Sequence, residues 1–394
     1  MSDLEAVGSV LIDGFYGHRN AGDEAILAAL IQQIRSYDPD ADIIVSSSDP
    51  IYTKTLHDVD GCITRYQPQN GFPSRKWLST VCNVDQVWIG GGGLFGHRKM
   101  LKYSILIAIA RAVGARVATV SVGSGPFANQ SNKLAQPMLS HAAAVTVRDK
   151  QTASRLRNVG VSGPIDVCVD PVFGYEFDVE RITLSTSLSK CVGSKTIVVS
   201  VREPSDREVD EPALANALTI VAKNQDCKII FIPFHVQRGG ATSDIDIAQR
   251  IATRMLDVET IVWDDELTYE EIIAVIDRSR LVVGMRLHSI IFAALVRTPF
   301  VGIPYAPKCI AHLQRLHAPT SLNCDDLDSA SLASEIEAQW ETGLSAKTKN
   351  AIEDCEMAAQ NIIPRVQSKS TNCSRTRVPL LFAKTGITGF RRMI

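Results

Sequence analysis

The residues best equipped for chemistry lie in the stretch VVGMRLHSIIFAA, where Arg286 and His288 end an apolar run and a helical pattern begins. An arginine at the end of a buried strand is costly without a partner, and its guanidinium fork suits a carboxylate or a phosphate. If the segment is extended, His288 lies two residues on and faces the same side. An imidazole titrating near neutrality can relay protons, so Arg286 and His288 are the candidate catalytic pair. A plainer account stays open, in which Arg286 pairs with a local acid and His288 bonds a carbonyl. Arg202 closes TIVVSVRE and Lys308 follows PFVGIPYAP, each just past the carboxyl end of an expected parallel strand. With Arg286 and His288 they can converge on a small ligand of high negative charge. His235, ending CKIIFIPFH, stands at the same rim, where capping or packing would account for it equally well.

Glycine-rich turns form the second group. In GFYGHRNAGDEAIL, Gly14 and Gly17 follow a strand, and Asn20, Gly22 and Asp23 open a helix. Such a turn lets a ligand approach the backbone and offers helix N–H groups to an anion, although simple capping by Asn20 or Asp23 explains it as well. The spacing is not GxGxxG, which disfavours a nicotinamide dinucleotide. IGGGGLFG sets Gly90, Gly91, Gly92 and Gly93 in succession at a strand end, and SVGSGPF sets Gly123, Ser124 and Gly125 at the end of the next strand. Consecutive glycines are entropically costly unless something comes close to the backbone or a positive φ is required. A binding loop is therefore expected at both turns, because ligands of open α/β sheets lie beyond the carboxyl ends of the strands.

The elements that must position these residues alternate from the start. Short β-branched runs and helical stripes succeed one another, which is the pattern of βαβ units and a parallel sheet. SVLIDGFYG, ADIIVSSS, VDQVWIGGGG, ARVATVSVG, AAVTVRD and IDVCVDPVF read as strands, with AGDEAILAALIQQIRSY the first helix. Residues from about Asp49 to Thr80 are polar and irregular and read as a long loop near a site. The pattern lapses between Gly174 and Ser194, then resumes through a second set of βαβ units. The expected fold class is α/β, with two Rossmann-like domains of mostly parallel sheets. The domains run over 1–180 and 190–345, a helix over 346–363 packs back across the junction, and 364–394 form a basic tail. Ligand binding is expected in a cleft between the domains.

Composition excludes more than it identifies. The chain of 394 residues has 45% hydrophobic and 21% charged residues and a formal net charge of −2, so it lacks the strongly basic character of a nucleic-acid binder. Its nine cysteines form no CxxC unit, which argues against a zinc site or a disulfide framework and suits a reducing compartment. The start MSDLEAVGSV is acidic and does not read as a signal peptide, so a cytoplasmic location is expected. After Pro364 the tail carries Arg365, Lys369, Arg375, Arg377, Lys384, Arg391 and Arg392 without an acidic residue. Such a tail is either solvated or held at an anionic membrane face, where its VPLLF run could dip into the interface.

Four segments in this order, GFYGHRNAGDEAI, VWIGGGGLF, VTVRDKQTASRLRNVG and GMRLHSIIFAALVRTPFVGIPYAPK, resemble the polysaccharide pyruvyltransferase family, over about residues 8 to 318. The resemblance implies a fold like that of the two-domain GT-B glycosyltransferases, with phosphoenolpyruvate as donor substrate and a sugar diol as acceptor, whether on a nucleotide sugar, a lipid-linked oligosaccharide or a finished polymer. It implies a cyclic pyruvate ketal as product, with phosphate released and neither cofactor nor metal needed. It carries donor binding to Arg202, to Arg286, Leu287 and His288 of the Arg-Leu-His motif, and to Lys308, while the proton-relaying chemistry of an imidazole assigns His288 as the general acid/base. The acceptor is expected against the first domain, at the loops of Asn20, Asp23, Gly91, Gly92, Gly123 and Ser124, with Asp23 or Glu24 able to activate a hydroxyl. Two other readings stand beside it: a nucleotide-sugar glycosyltransferase of the same build, and a non-catalytic protein that binds a glycan or a lipid carrier.

Overall fold

The computed structural model describes residues 6–65, 73–95, 100–125, 139–140, 142–204, 207–236, 243–319 and 323–371. The chain divides into two compact units, and neither is continuous in sequence. The first comprises Met1–His18, Ile26–Tyr175 and Ala358–Ile394; the second comprises Arg19–Ala25 and Glu176–Met357.

The first unit is built on a seven-stranded parallel sheet: β1 (Ser9–Tyr16), β2 (Asp42–Ser47), β3 (Gly61–Thr64), β4 (Gln86–Gly90), β5 (Arg116–Val122), β6 (Ala144–Val147) and β7 (Asp166–Val167). Their order is β3-β2-β1-β4-β5-β6-β7, with Ile12 of β1 opposite Val45 on one side and Trp88 on the other. Every residue of β4 is buried, as expected of a strand covered by helices on both faces. Leu11, Val87, Ile89 and Val117 share one core with Trp77, Val81 and Leu106.

Three expectations change here. The stretch 49–80 contains the helices Pro50–Leu56 and Arg75–Asn83 with β3 between them. The prolines and polar residues that suggested a loop do other work: Asp49 accepts from Tyr52 N at 3.1 Å and Pro50 opens the first helix, where its missing N–H costs nothing. IDVCVDPVF forms a strand only over Asp166–Val167, and Asp170 caps a short 3-10 turn that begins at Pro171. Finally, residues 364–371, assigned above to the tail, lie in the helix Ile362–Thr371, with Ile363, Val366 and Gln367 buried. Gln367 Oε1 accepts from Gln86 Nε2 at 3.2 Å, which ties this helix to β4 within the first unit. Residues 372–394 lie outside the described residues.

The second unit carries a five-stranded parallel sheet of β8 (Thr196–Ser200), β9 (Lys228–Phe231), β10 (Thr260–Val262), β11 (Leu281–Gly284) and β12 (Phe300–Gly302), ordered β10-β9-β8-β11-β12. Strands β8 and β11 are buried throughout, and Val198 lies opposite Val282. Ile197, Val199, Leu218, Phe231, Ile251 and Val283 belong to one core. Strand order reverses between β8 and β11, and a crevice for ligands opens beyond the carboxyl ends at such a reversal.

Candidate functional site

The second unit gathers its candidate residues at that reversal. β11 stops at Gly284 because the chain turns directly into the helix Leu287–Leu295: a Cβ at Gly284 would lie 2.2 Å from Ser289 Oγ. Arg286 is therefore a helix N-cap in extended conformation, and His288 is the second helical residue. The expectation that both side chains project from one extended segment does not hold, since the strand ends before either.

Arg286 is oriented by Asp244, the buried first residue of the helix Asp244–Ala252. Its Nε donates to Asp244 Oδ2 at 3.0 Å and one Nη donates to Oδ1. The same Oδ2 accepts from the backbone N–H groups of Phe234 and His235, both at 3.1 Å. One carboxylate thus joins the turn after β9 to the turn after β11. Burial lowers the pKa of Arg286, but Asp244, with smaller contributions from Tyr305 and Asp23, more than offsets this and holds it above its ordinary value. Among the described residues, the Nη1 edge of Arg286 donates to no protein group.

Arg202 and Lys308 meet on Tyr305, which lies just past β12. The guanidinium carbon of Arg202 sits 4.5 Å from the centroid of the Tyr305 ring, and its Nη1 donates to the Tyr305 hydroxyl at 3.0 Å. Lys308 Nζ lies 5.5 Å from the same centroid. The helices Leu287–Leu295 and Pro307–Arg315 begin here with N-caps Arg286 and Ala306, and neither has a side-chain capping bond. Elsewhere caps such as Asp210, Ser243 and Thr268 fill that role. Uncapped first-turn N–H groups, two arginines and a lysine together favour a multiply charged anion. Leu287 is buried and contributes backbone and packing.

Residues 19–25 belong to this unit, so Asn20 and Asp23 stand with His288 and not with the glycine loops. Asn20 bridges to His235, Ala21 N donates to Phe234 O at 2.9 Å, and Arg19 pairs with Glu266 at 2.8 Å. Asn20 also caps the helix Ala21–Tyr37, its Oδ1 accepting from Gly22 N at 3.1 Å. A Cβ on Gly22 would lie 2.1 Å from His288 Nδ1, so glycine is what lets this turn touch the imidazole. Glu24 is buried.

The glycine loops of the first unit are laced to each other. Gly123 N donates to Gly92 O at 2.7 Å, Phe95 N to Gly123 O at 3.2 Å, and Gly125 N to Phe95 O at 2.7 Å. Packing accounts for several of these glycines: a Cβ at Gly91 would lie 2.0 Å from Ile26 Cγ2, and one at Gly123 would lie 2.6 Å from Arg148 Nη2. Gly91 and Gly92 also hold positive φ of 54° and 70°. Ser124 is buried; its N–H donates to Thr152 Oγ1 at 3.0 Å and its carbonyl accepts from Arg155 Nη1 at 2.7 Å. Gly93 has open space where a side chain would be. In the same unit Arg148 pairs with Asp170 at 3.1 Å, and Asp13 pairs with Arg65 at 2.8 Å. Burial raises the Asp13 pKa, with the charge of Arg65 opposing it.

Asp244 and Tyr305 were not singled out from the sequence, and Gly22 was named there only as part of a turn that opens a helix. Nothing local in the sequence marks Asp244, and Tyr305 reads as an ordinary residue before Pro307. The one available signal was that Tyr305 precedes Lys308 by three residues. Among the described residues no cluster of histidine, cysteine or carboxylate side chains could hold a metal ion, and no helix is long and apolar enough to cross a membrane.

Two helix-covered parallel sheets, with charged residues beyond the carboxyl ends of the second, define an α/β protein of the two-Rossmann-domain, GT-B-like class. Solved structures share this fold. UDP-GlcNAc 2-epimerase from Neisseria meningitidis, crystallised with UDP-GlcNAc, matches with a TM-score of 0.61 at 10% identity, over 92% of this chain and 100% of that one. A putative UDP-N-acetylglucosamine 2-epimerase from Listeria monocytogenes matches with a TM-score of 0.63 at 12% identity, over 93% and 98%. The N-terminal domain of trehalose-6-phosphate phosphatase from Candida albicans gives 0.58 at 12%, over 92% and 99%. No curated protein matches the sequence. The sequence profile of polysaccharide pyruvyl transferases matches residues 20–307, well over half of the chain. The chain belongs to the polysaccharide pyruvyl transferase family, transferases whose activity implies a pyruvate donor and a glycan acceptor.

Proposed function

We propose that the donor is phosphoenolpyruvate and that the product is a cyclic pyruvate ketal on two hydroxyls of one sugar unit. The observation that carries this reading is the convergence of Arg202, Arg286, Lys308 and two uncapped helix starts around Tyr305, with His288 in the adjoining turn. Phosphoenolpyruvate carries a carboxylate and a phosphate, and this set of donors matches both. In the reaction the methylene carbon takes a proton and becomes a methyl group, while one sugar hydroxyl adds to the central carbon. The second hydroxyl then displaces phosphate, so two hydroxyl protons leave: one ends on the methyl group and the other departs with the released phosphate. His288 is the group proposed to move these protons, and Asp23, one residue from the glycine that touches its ring, to receive one from the acceptor.

The test is phosphate release from phosphoenolpyruvate that depends on added glycan acceptor, with nucleotide sugars assayed in parallel. Release of a nucleoside diphosphate from the nucleotide sugars would establish the glycosyltransferase reading in its place. Binding without turnover of either donor would establish a non-catalytic carrier. His288→Ala is expected to remove most turnover and leave the melting temperature unchanged.

A lipid-linked acceptor and peripheral contact with the inner face of the membrane through residues 372–394 belong to the same proposal. Co-sedimentation of the full chain, but not of residues 1–371, with anionic vesicles would support it.

A further inference from the structure

We propose that Tyr305 is the positioning residue of this site, holding Arg202 so that the Nε edge of the guanidinium is presented to the anionic ligand. The identity of that ligand rests on the reading above; the geometry does not. Tyr305 is buried and fixed in the turn between β12 and the helix Pro307–Arg315. Its hydroxyl takes one Nη1 hydrogen at 3.0 Å and its ring lies under the guanidinium at 4.5 Å. Two contacts of different kinds, to one face and to one corner, leave a planar cation no freedom to turn. Arg202 Nε is buried, and among the described residues it has no hydrogen-bond partner. A buried charged donor left unsatisfied costs free energy until an acceptor arrives, which is the condition of a group reserved for ligand. Lys308, 5.5 Å from the same ring, is drawn to the same point. Tyr305 itself touches no reacting atom in this scheme; it acts through the cations it seats.

The test compares wild type, Tyr305→Phe, Tyr305→Leu, Arg202→Ala and Arg202→Ala/Tyr305→Leu by calorimetric titration with phosphoenolpyruvate and by steady-state kinetics. Tyr305→Phe keeps the ring and loses only the acceptor, so donor affinity falls about fivefold, the equivalent of one hydrogen bond. Tyr305→Leu loses both contacts and falls further, with KM rising and kcat within about threefold, since His288 is untouched. The double variant is expected to bind no more weakly than Arg202→Ala alone, because Tyr305 has nothing left to orient. Additive losses, or Tyr305 variants that bind as wild type does, would overturn the assignment.

A second readout does not depend on the ligand. In the unliganded protein the Arg202 Nε–H resonance should carry a ring-current shift that Tyr305→Leu abolishes and Tyr305→Phe retains. An unshifted resonance in wild type counts against the inference. If wild type does not bind phosphoenolpyruvate, the donor reading fails, while this resonance still decides the role of Tyr305.

Discussion

Replacing Gly22 with alanine tests whether the first turn of the Ala21–Tyr37 helix sets the position of His288. The new Cβ would stand 2.1 Å from Nδ1, 2.5 Å from Cγ and 2.8 Å from Cε1 of the imidazole. Ordinary van der Waals contact begins near 3.4 Å, so the ring or the turn must yield by about 1.3 Å. The turn is pinned by Ala21 N to Phe234 O at 2.9 Å and by the capping bond of Asn20, so the ring is the part expected to move. Misplacing a catalytic group by about 1 Å costs about a hundredfold in rate. Stability should change little, because alanine favours the helix by about 1 kcal/mol while overpacking costs about 1–3 kcal/mol. The expected result is therefore a kcat for phosphate release about a hundredfold lower, with a melting temperature within a few degrees of wild type. Combining the change with His288→Ala should slow the reaction no further. A Gly22→Ala enzyme with kcat within threefold of wild type would refute the placement of His288 as the group that moves protons.

Asp244→Asn leaves Arg286 buried without its counter-charge, and is expected to cost about 3 kcal/mol of stability in urea titrations and to weaken donor binding together with Arg286→Ala. Burial pushes the Glu335 carboxyl up to about 7, above its value in the unfolded chain. Its contribution to stability is therefore full at pH 4 and lost as pH rises through 7, so Glu335→Gln should raise the urea midpoint at pH 8 and leave it unchanged at pH 4. Ending the chain after Ile363 removes buried Val366 and the Gln367 partner of Gln86, and should lower stability by about 3 kcal/mol in thermal or urea unfolding. Undiminished stability of that truncation would show that residues 364–371 do not belong to the folded unit.

The parallel α/β architecture was readable before any coordinates, because alternating apolar strands and amphipathic helices are local patterns. The sequence motifs also pointed to the family, through segments that the profile match over residues 20–307 includes wholly or in large part. The strand ends that precede Arg202 and Arg286 were legible for the same reason, since hydrophobic runs stop where the chain leaves the sheet, whereas Lys308 lies in the helix Pro307–Arg315, six residues past the end of β12 at Gly302. What those residues meet depends on the folded chain. Tyr305 lies 103 residues from the Arg202 it orients, and Asp244 lies 42 residues from Arg286. No local pattern carries such a pairing. The glycines show the same limit, since entropy argues only that something must come close. At Gly91 that something is the side chain of Ile26, and at Gly22 it is the imidazole of His288. The assignment of Asn20 and Asp23 to the second unit turned on backbone bonds from residues 20 and 21 to residues more than two hundred positions away. Periodicity is blind to contacts of that range, and only the folded chain supplies them.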